Sequence, residues 1–130
     1  MGFWRSALHP VRIVQSALRE RAKAKTRSPH WATVRDHWLA TNPTCAACGS
    51  RVRCQVHHIV PFSNDPSREL DPTNFITLCM SRRHEDHLHI GHGGKFSNYN
   101  PNVVVHAIAL RKQPERRKEL ELLAKAMRKD

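Results

Sequence analysis

The chain has 130 residues, 39% of them hydrophobic, and carries a net charge of +11 with a pI near 10.4. That length fits one domain whose core cannot fill every position, so a metal staple is expected to supplement it. No apolar run approaches the roughly 20 residues of a membrane span, and the first ten residues lack the apolar stretch of a secretory signal, so the cytoplasm is the expected compartment.

Charge is unevenly spread. Residues 1–27 hold seven Lys/Arg against one acid, and residues 111–130 hold eight against four. The stretch between them has seven basic and six acidic residues and nine of the ten histidines. This divides the chain into a basic N-terminal arm or helix (1–27), a central domain (28–110) and a basic C-terminal helix (111–130). Basic flanks suit a polyanion, because each neutralised phosphate releases counterions, so nucleic acid is the expected partner.

In chain order, residues 3–25 could form a basic helix, with Val11, Val14 and Leu18 at helical spacing and Pro10 breaking its start. Residues 22–28 read as an arm that orders on DNA. Ser28-Pro29 predicts a helix start, with Ser as N-cap and Pro at the first position. Trp31, Val34, Trp38 and Leu39 then share one face, as in a core helix, and Asn42-Pro43 ends it. Cys45 to Gly49 reads as a zinc-knuckle turn, with Gly49 free to adopt positive φ. Val52, Cys54, Val56 and His58 alternate with Arg51, Arg53, Gln55 and His57, which predicts a strand with Cys54 facing the core. Residues 61–72 form a loop and residues 74–79 a short apolar segment. Residues 82–90 look helical, with Gly91 as the C-terminal cap. After a second loop, residues 103–110 could be a strand or a helix start. Pro114-Glu115 opens a last helix with Leu120, Leu123 and Met127 on one face, suited to the core or to a second copy of the chain.

Two groups of residues carry chemistry. Cys45-x-x-Cys48 supplies two thiolates from one turn and Cys79 a third, whereas zinc takes four N/S ligands in a tetrahedron. Arg82 stands where a second Cys-x-x-Cys would end, which leaves His84 and Asp86 as candidates for the fourth ligand. The other group is His57-His58 with Asn74 and the histidines 84, 87, 89 and 92. Cutting a phosphodiester needs an activated water, positive charge on the phosphate and help for the leaving oxygen. A histidine titrating near neutrality can take the proton, and a strand directs its neighbour to the opposite face, free to hold a metal.

Val56-His57-His58-Ile59-Val60-Pro61, then Asp71-Pro72-x-Asn74-x-Ile76-x-Leu78-Cys79 and the histidine run, resemble the HNH family of nucleases. Cys45-Ala-Ala-Cys48-Gly49 sits where zinc-stapled members have their first cysteine pair, and Ser28-Pro29-x-Trp31-x-x-Val34-Arg35 is similar to the lead-in helix of small members. The resemblance covers residues 28–101. It implies an α+β fold, a small ββα-metal (His-Me finger) core with a structural zinc and flanking helices. It also implies a metal-dependent DNA endonuclease. By this resemblance His58 is the general base, His57 occupies the metal-binding position before it, and Asn74 orients the loop through backbone hydrogen bonds. The usual second Cys-His step and final His are displaced here. A longer turn puts that step at Asp86-His87 and the final His at His92, one residue beyond the usual spacing. The zinc staple is then Cys45, Cys48, Cys79 and Asp86, a weaker site than four thiolates. The catalytic ion (Mg²⁺, Mn²⁺, Ni²⁺ or Zn²⁺) is expected on His57, His87 and His92. His84 is an alternative ligand, because it would share a helix face with His87.

On this reading His58 deprotonates a water in line with the scissile bond and the product carries a 5′ phosphate. Arg82, Arg83 and Lys95 are candidate phosphate contacts, and His89 points away from the metal. A non-catalytic zinc module that binds nucleic acid is the main alternative, and a metal-storage or metal-sensing protein a third. The target sequence, any phage or host protein partner and the biological setting (phage packaging, restriction or DNA mobility) stay open.

Overall fold

A computed structural model describes residues 26–127, so the expected helix over residues 3–25, most of the basic arm and residues 128–130 lie outside the described part. Helix α1 runs Trp31–Thr41, strand β1 Cys54–His58 and strand β2 Phe75–Cys79. A single π-helical turn, His87–Gly91, follows β2, and helices α2 (Val103–Lys112) and α3 (Arg117–Ala126) close the chain. The two strands, the π turn and the helices packed on them form a small ββα-metal fold of α+β class.

The strands pair antiparallel, with Cys54 opposite Cys79 and His58 opposite Phe75. Backbone bonds continue the ladder past both ends, from Met80 N–H to Arg53 O at 2.8 Å and from Ile59 N–H to Asn74 O at 2.8 Å. The strand begins three residues later than the alternation suggests, because Arg53 takes positive φ (53°) and turns the chain into it. Residues 59–74, between the strands, hold two 3-10 turns, Pro66–Arg68 and Pro72–Asn74, each opened by an aspartate whose carboxylate accepts a backbone N–H two residues on.

The core joins both halves. Leu78 of β2, Ile90 of the π turn, Val103, Ala107 and Leu110 of α2 and Leu120 of α3 pack with Cys45, Ala47 and Cys79. Burying such side chains contributes roughly 1.5–3 kcal/mol each. Helix α3 therefore belongs to the core through Leu120 and Ala124, while Leu123 is largely exposed. Of the expected stripe, Leu120 is buried and Met127 half-buried, and only Leu123 misses, with Ala124 buried in its stead.

The helix begins two residues later than expected, with His30 and not Ser28 at the cap position; Ser28 instead closes a turn before it, its Oγ accepting His30 N–H at 3.1 Å and its carbonyl accepting Trp31 N–H at 3.2 Å. The expected face of α1 is the half-covered one, but none of its residues is fully buried. Trp31 and Trp38 meet Phe75 edge-on, with ring centroids 5.6 and 5.4 Å apart, so α1 leans on the sheet and leaves room beside it. The expected helix over residues 82–90 is replaced by a turn at Ser81–Asp86, where Glu85 has positive φ (51°), and by the π turn. Gly91 lies inside that turn with ordinary φ and is not its cap; His92 ends it.

Candidate metal centres and catalytic cleft

The cysteine cluster is assembled from three places. The turn before β1 brings Cys45 and Cys48, β2 ends on Cys79, and the turn before the π element brings Asp86. Their ligand atoms lie within 4.8 Å of one another. Cys48 Sγ and Cys79 Sγ are 3.7 Å apart, and Asp86 Oδ2 is 3.4 Å from Cys45 Sγ and 3.7 Å from Cys79 Sγ. A tetrahedron with metal–sulfur bonds of about 2.3 Å has S–S edges of about 3.8 Å, so the donor set fits zinc. Burial pushes the Cys45 thiol up to about 11 and raises Cys48 further, so without a cation these thiols stay protonated. A dication reverses that balance by stabilising the thiolates.

The knuckle depends on Gly49. Its φ is +78°, and a Cβ there would sit 2.7 Å from the guanidinium of Arg111, which packs over the turn from α2. Asp86 is fully buried and held from α3, where Arg117 Nη1 donates to Oδ1 at 2.6 Å. Arg117 thus fixes the carboxylate that turns Oδ2 toward the sulfurs. Nothing in the sequence singled it out, since it is one cation among many in a basic helix.

The histidine cluster joins β1 to the π turn. His57, His87 and His92 offer nitrogens within 4.8 Å of one another, a span one divalent ion can bridge. Residues five apart are about 140° apart around an α-helix at 100° per residue, and would face away from each other. The i→i+5 closure of a π turn brings them back into register. This is how the chain absorbs the extra residue between His87 and His92. Ring centroids are 5.1 Å apart for His57–His87, 4.6 Å for His57–His92 and 5.0 Å for His87–His92.

Hydrogen bonds set two of the three tautomers. His92 Nδ1 lies 2.9 Å from the Asn98 carbonyl and His87 Nδ1 2.7 Å from Gln55 Oε1, so both Nδ1 atoms carry the proton and both Nε2 lone pairs are free. Both nitrogens of His57 are buried with no hydrogen-bond partner among the described residues. An imidazole so placed forfeits at least one strong interaction unless a cation supplies it. Burial drives its pKa well below the usual histidine value, and lowers His87 to about 4. All three rings are therefore neutral at pH 7, the state a metal ligand requires. Gly91 makes room for this arrangement, because a Cβ there would lie 3.0 Å from His57 Nδ1 and 3.1 Å from Leu78.

His58 points to the other face of β1. Its Nε2 is 2.8 Å from the Glu69 carbonyl, which can only accept, so Nε2 carries the proton and Nδ1 keeps its lone pair. Trp31 covers the ring at 4.6 Å. Burial lowers the His58 pKa, partly offset by the Glu69 carbonyl, which keeps the ring neutral near pH 7. Asn74 is fully buried and ties the loop to the strand. Its Oδ1 accepts Val60 N–H at 2.8 Å, and its Nδ2 donates to the carbonyls of Val60 at 3.0 Å and Arg68 at 3.3 Å. It thereby fixes the loop that presents the Glu69 carbonyl.

A cleft runs over this face, lined by His58, His87, His92, Gln55, Phe96 and the cations Arg27 and Arg35, among others. Arg27 lies 3.6 Å from the buried Glu69 carboxylate and 4.6 Å above the Phe62 ring. Glu69 also accepts Ser28 N–H, at 3.0 Å through Oε1. Glu69 went unnoticed in the sequence because it lies in a polar loop that gives no sign of burial. Gln55 had a usable signal, being two residues before His57 on the same strand.

The remaining candidates fall elsewhere. His84 closes the turn at Ser81 through its backbone and joins neither cluster. Arg82 and Arg83 are exposed and do not line the cleft, and Lys95 lines a different groove together with His89. Cys54 stays apart from the thiol cluster and donates to the Ser50 carbonyl at 3.2 Å.

A two-stranded sheet and a helical turn that gather a Cys₃Asp and a His₃ cluster define the class as a ββα-metal protein. Residues 45–81 match the family model described as HNH endonuclease, and the two clusters are an arrangement typical of that family. No curated protein and no solved structure matches the chain. Family and clusters together support a metal-dependent, nuclease-like activity.

Proposed function

We propose that this protein is a DNA endonuclease that hydrolyses phosphodiester bonds with His58 as general base and one divalent ion on His57, His87 and His92. The observation that carries this reading is His57, a buried imidazole with no partner at either nitrogen among the described residues, facing two histidines whose Nε2 lone pairs are free. A packing role would leave that polar ring unsatisfied, which disfavours the non-catalytic zinc module.

When bound, the ion supplies positive charge to the scissile phosphate and to the departing 3′ oxygen. The protein supplies the rest. The Nδ1 lone pair of His58 takes a proton from water, while the Glu69 carbonyl holds the ring at Nε2 and Asn74 holds that loop. The new bond forms between the water oxygen and phosphorus as the P–O3′ bond breaks, which leaves the phosphate on the 5′ end. Arg27 and Arg35 line the same cleft and suit the flanking phosphates. Three neutral imidazoles with no carboxylate favour Ni²⁺, Zn²⁺ or Mn²⁺ over Mg²⁺, which prefers oxygen. The cysteine cluster with Asp86 holds a structural zinc on this reading.

Supercoiled plasmid incubated with Mg²⁺, Mn²⁺, Ni²⁺ or EDTA, beside His58→Ala, tests the proposal. Metal-dependent nicking that the variant lacks is expected. Intact plasmid in every metal, with both proteins still shifting DNA on a gel, favours the binding module.

A further inference from the structure

The loop that carries His92 has two sides. Phe96 and His92 face the catalytic cleft, while Gly93, Gly94, Lys95 and Asn98 line a second groove behind it. The opposite wall of that groove is α3, which contributes Lys118, Leu122 and Lys125 at i, i+4 and i+7, one face of the helix. Three lysines from two segments therefore line one depression, with His89 beside them. Its single acid, Glu121, already accepts from Arg117 at 3.1 Å. Among the described residues the three lysines have no anionic partner. Like charges gathered without a counter-charge repel one another, which is tolerable where a polyanion or its counterions fill the space.

We propose that the groove of Lys95, Lys118 and Lys125 is a second DNA-backbone site, which binds phosphates beyond the scissile one while the His92 loop forms the ridge between the two. The proposal rests on the DNA half of the reading above, but it needs no cleavage. It gives part of the basic C-terminal segment a specific place. The contacts are sequence-independent, because an ammonium reads phosphate charge and not base edges. The loop between the two grooves is the one whose Asn98 carbonyl holds His92.

The test is the salt dependence of binding of a 20-base-pair duplex, followed by fluorescence anisotropy without added divalent metal. It compares wild type with Lys95→Gln/Lys118→Gln/Lys125→Gln, the same three positions changed to Arg, and Lys112→Gln on α2 as a control. Each phosphate contact contributes about 0.9 to the slope of log K against log salt. The triple Gln variant is expected to lower that slope by about 2 to 3, each single Gln change by about 1, and the Arg variant to keep it. A slope unchanged in the triple and single Gln variants overturns the groove, as does an equal loss in Lys112→Gln. Wild type that binds with the expected slope loss in the variants but nicks plasmid in no metal leaves the groove standing and removes the nuclease reading.

Discussion

Arg117→Met isolates the support of the cysteine cluster. Asp86 is fully buried, and Arg117 Nη1 reaches its Oδ1 at 2.6 Å while the other oxygen lies 3.4 Å from Cys45 Sγ. Methionine keeps most of the aliphatic stem and removes the charge. Breaking a buried ion pair from one side costs about 3–5 kcal/mol when both groups are dry. The Arg117 side chain is 23% exposed and also meets Glu121, so water replaces part of the interaction and about 2 kcal/mol is the expected cost. An independent route gives a similar size, since loss of a group that orients a metal ligand weakens binding about 10–100-fold, or roughly 1.4–2.8 kcal/mol. Competition for zinc against a chromophoric chelator reads the affinity directly. A thermal melt in excess zinc should drop by about 8 °C for a domain of this size. Unchanged zinc affinity and melting temperature would refute the view that α3 holds the fourth ligand.

Three further outcomes follow from the same contacts. Asn74→Ala removes three hydrogen bonds at a fully buried site and should cost about 2–4 kcal/mol in denaturant unfolding, with nicking reduced even where the protein is folded. Asn74→Asp cannot donate to the Val60 and Arg68 carbonyls and should also fail, whereas a purely steric role would tolerate it. Gly91→Ala pushes on His57 and Leu78, so calorimetry should show weaker Mn²⁺ or Ni²⁺ binding with one zinc per chain retained; equal loss of both metals would contradict this. In protein without a divalent ion on the histidines, the unfolded rings protonate below about pH 6.5, while His87 in the folded chain resists until about 4. Stability should therefore be full above pH 6.5 and fall by up to about 3 kcal/mol as the pH drops to 4, with His57 acting in the same direction. Urea midpoints across that range, with His87→Gln as reference, would show no such slope if the rings were solvated.

The sequence made the first strand, the cysteine knuckle and the opposite orientation of His57 and His58 legible, because alternation and fixed ligand spacing are local signals. It was less informative where chain segments meet. The run from residue 82 has helical composition, yet the positive φ at Glu85 and a π turn replace most of a helix, since only that geometry turns both His87 and His92 toward His57. Glu69, Arg27 and Arg117 act through contacts 31 to 42 residues away in sequence, and no periodicity announces them. Spacing puts Leu123 on one apolar face with Leu120, suited to the core or to a second copy, but Leu123 is exposed and Ala124 is the residue buried beside Leu120.

On the proposed function, one centre staples the fold while the other serves the chemistry of cutting. The most direct measurement counts bound zinc and follows plasmid nicking in the same sample as Mn²⁺ is added to protein treated with a mild chelator. The expected result is one zinc per chain throughout, no nicking before Mn²⁺, nicking that rises with Mn²⁺, and none at any concentration in His58→Ala. Nicking by His58→Ala at the wild-type rate, or activity that tracks the zinc count and ignores Mn²⁺, would contradict it.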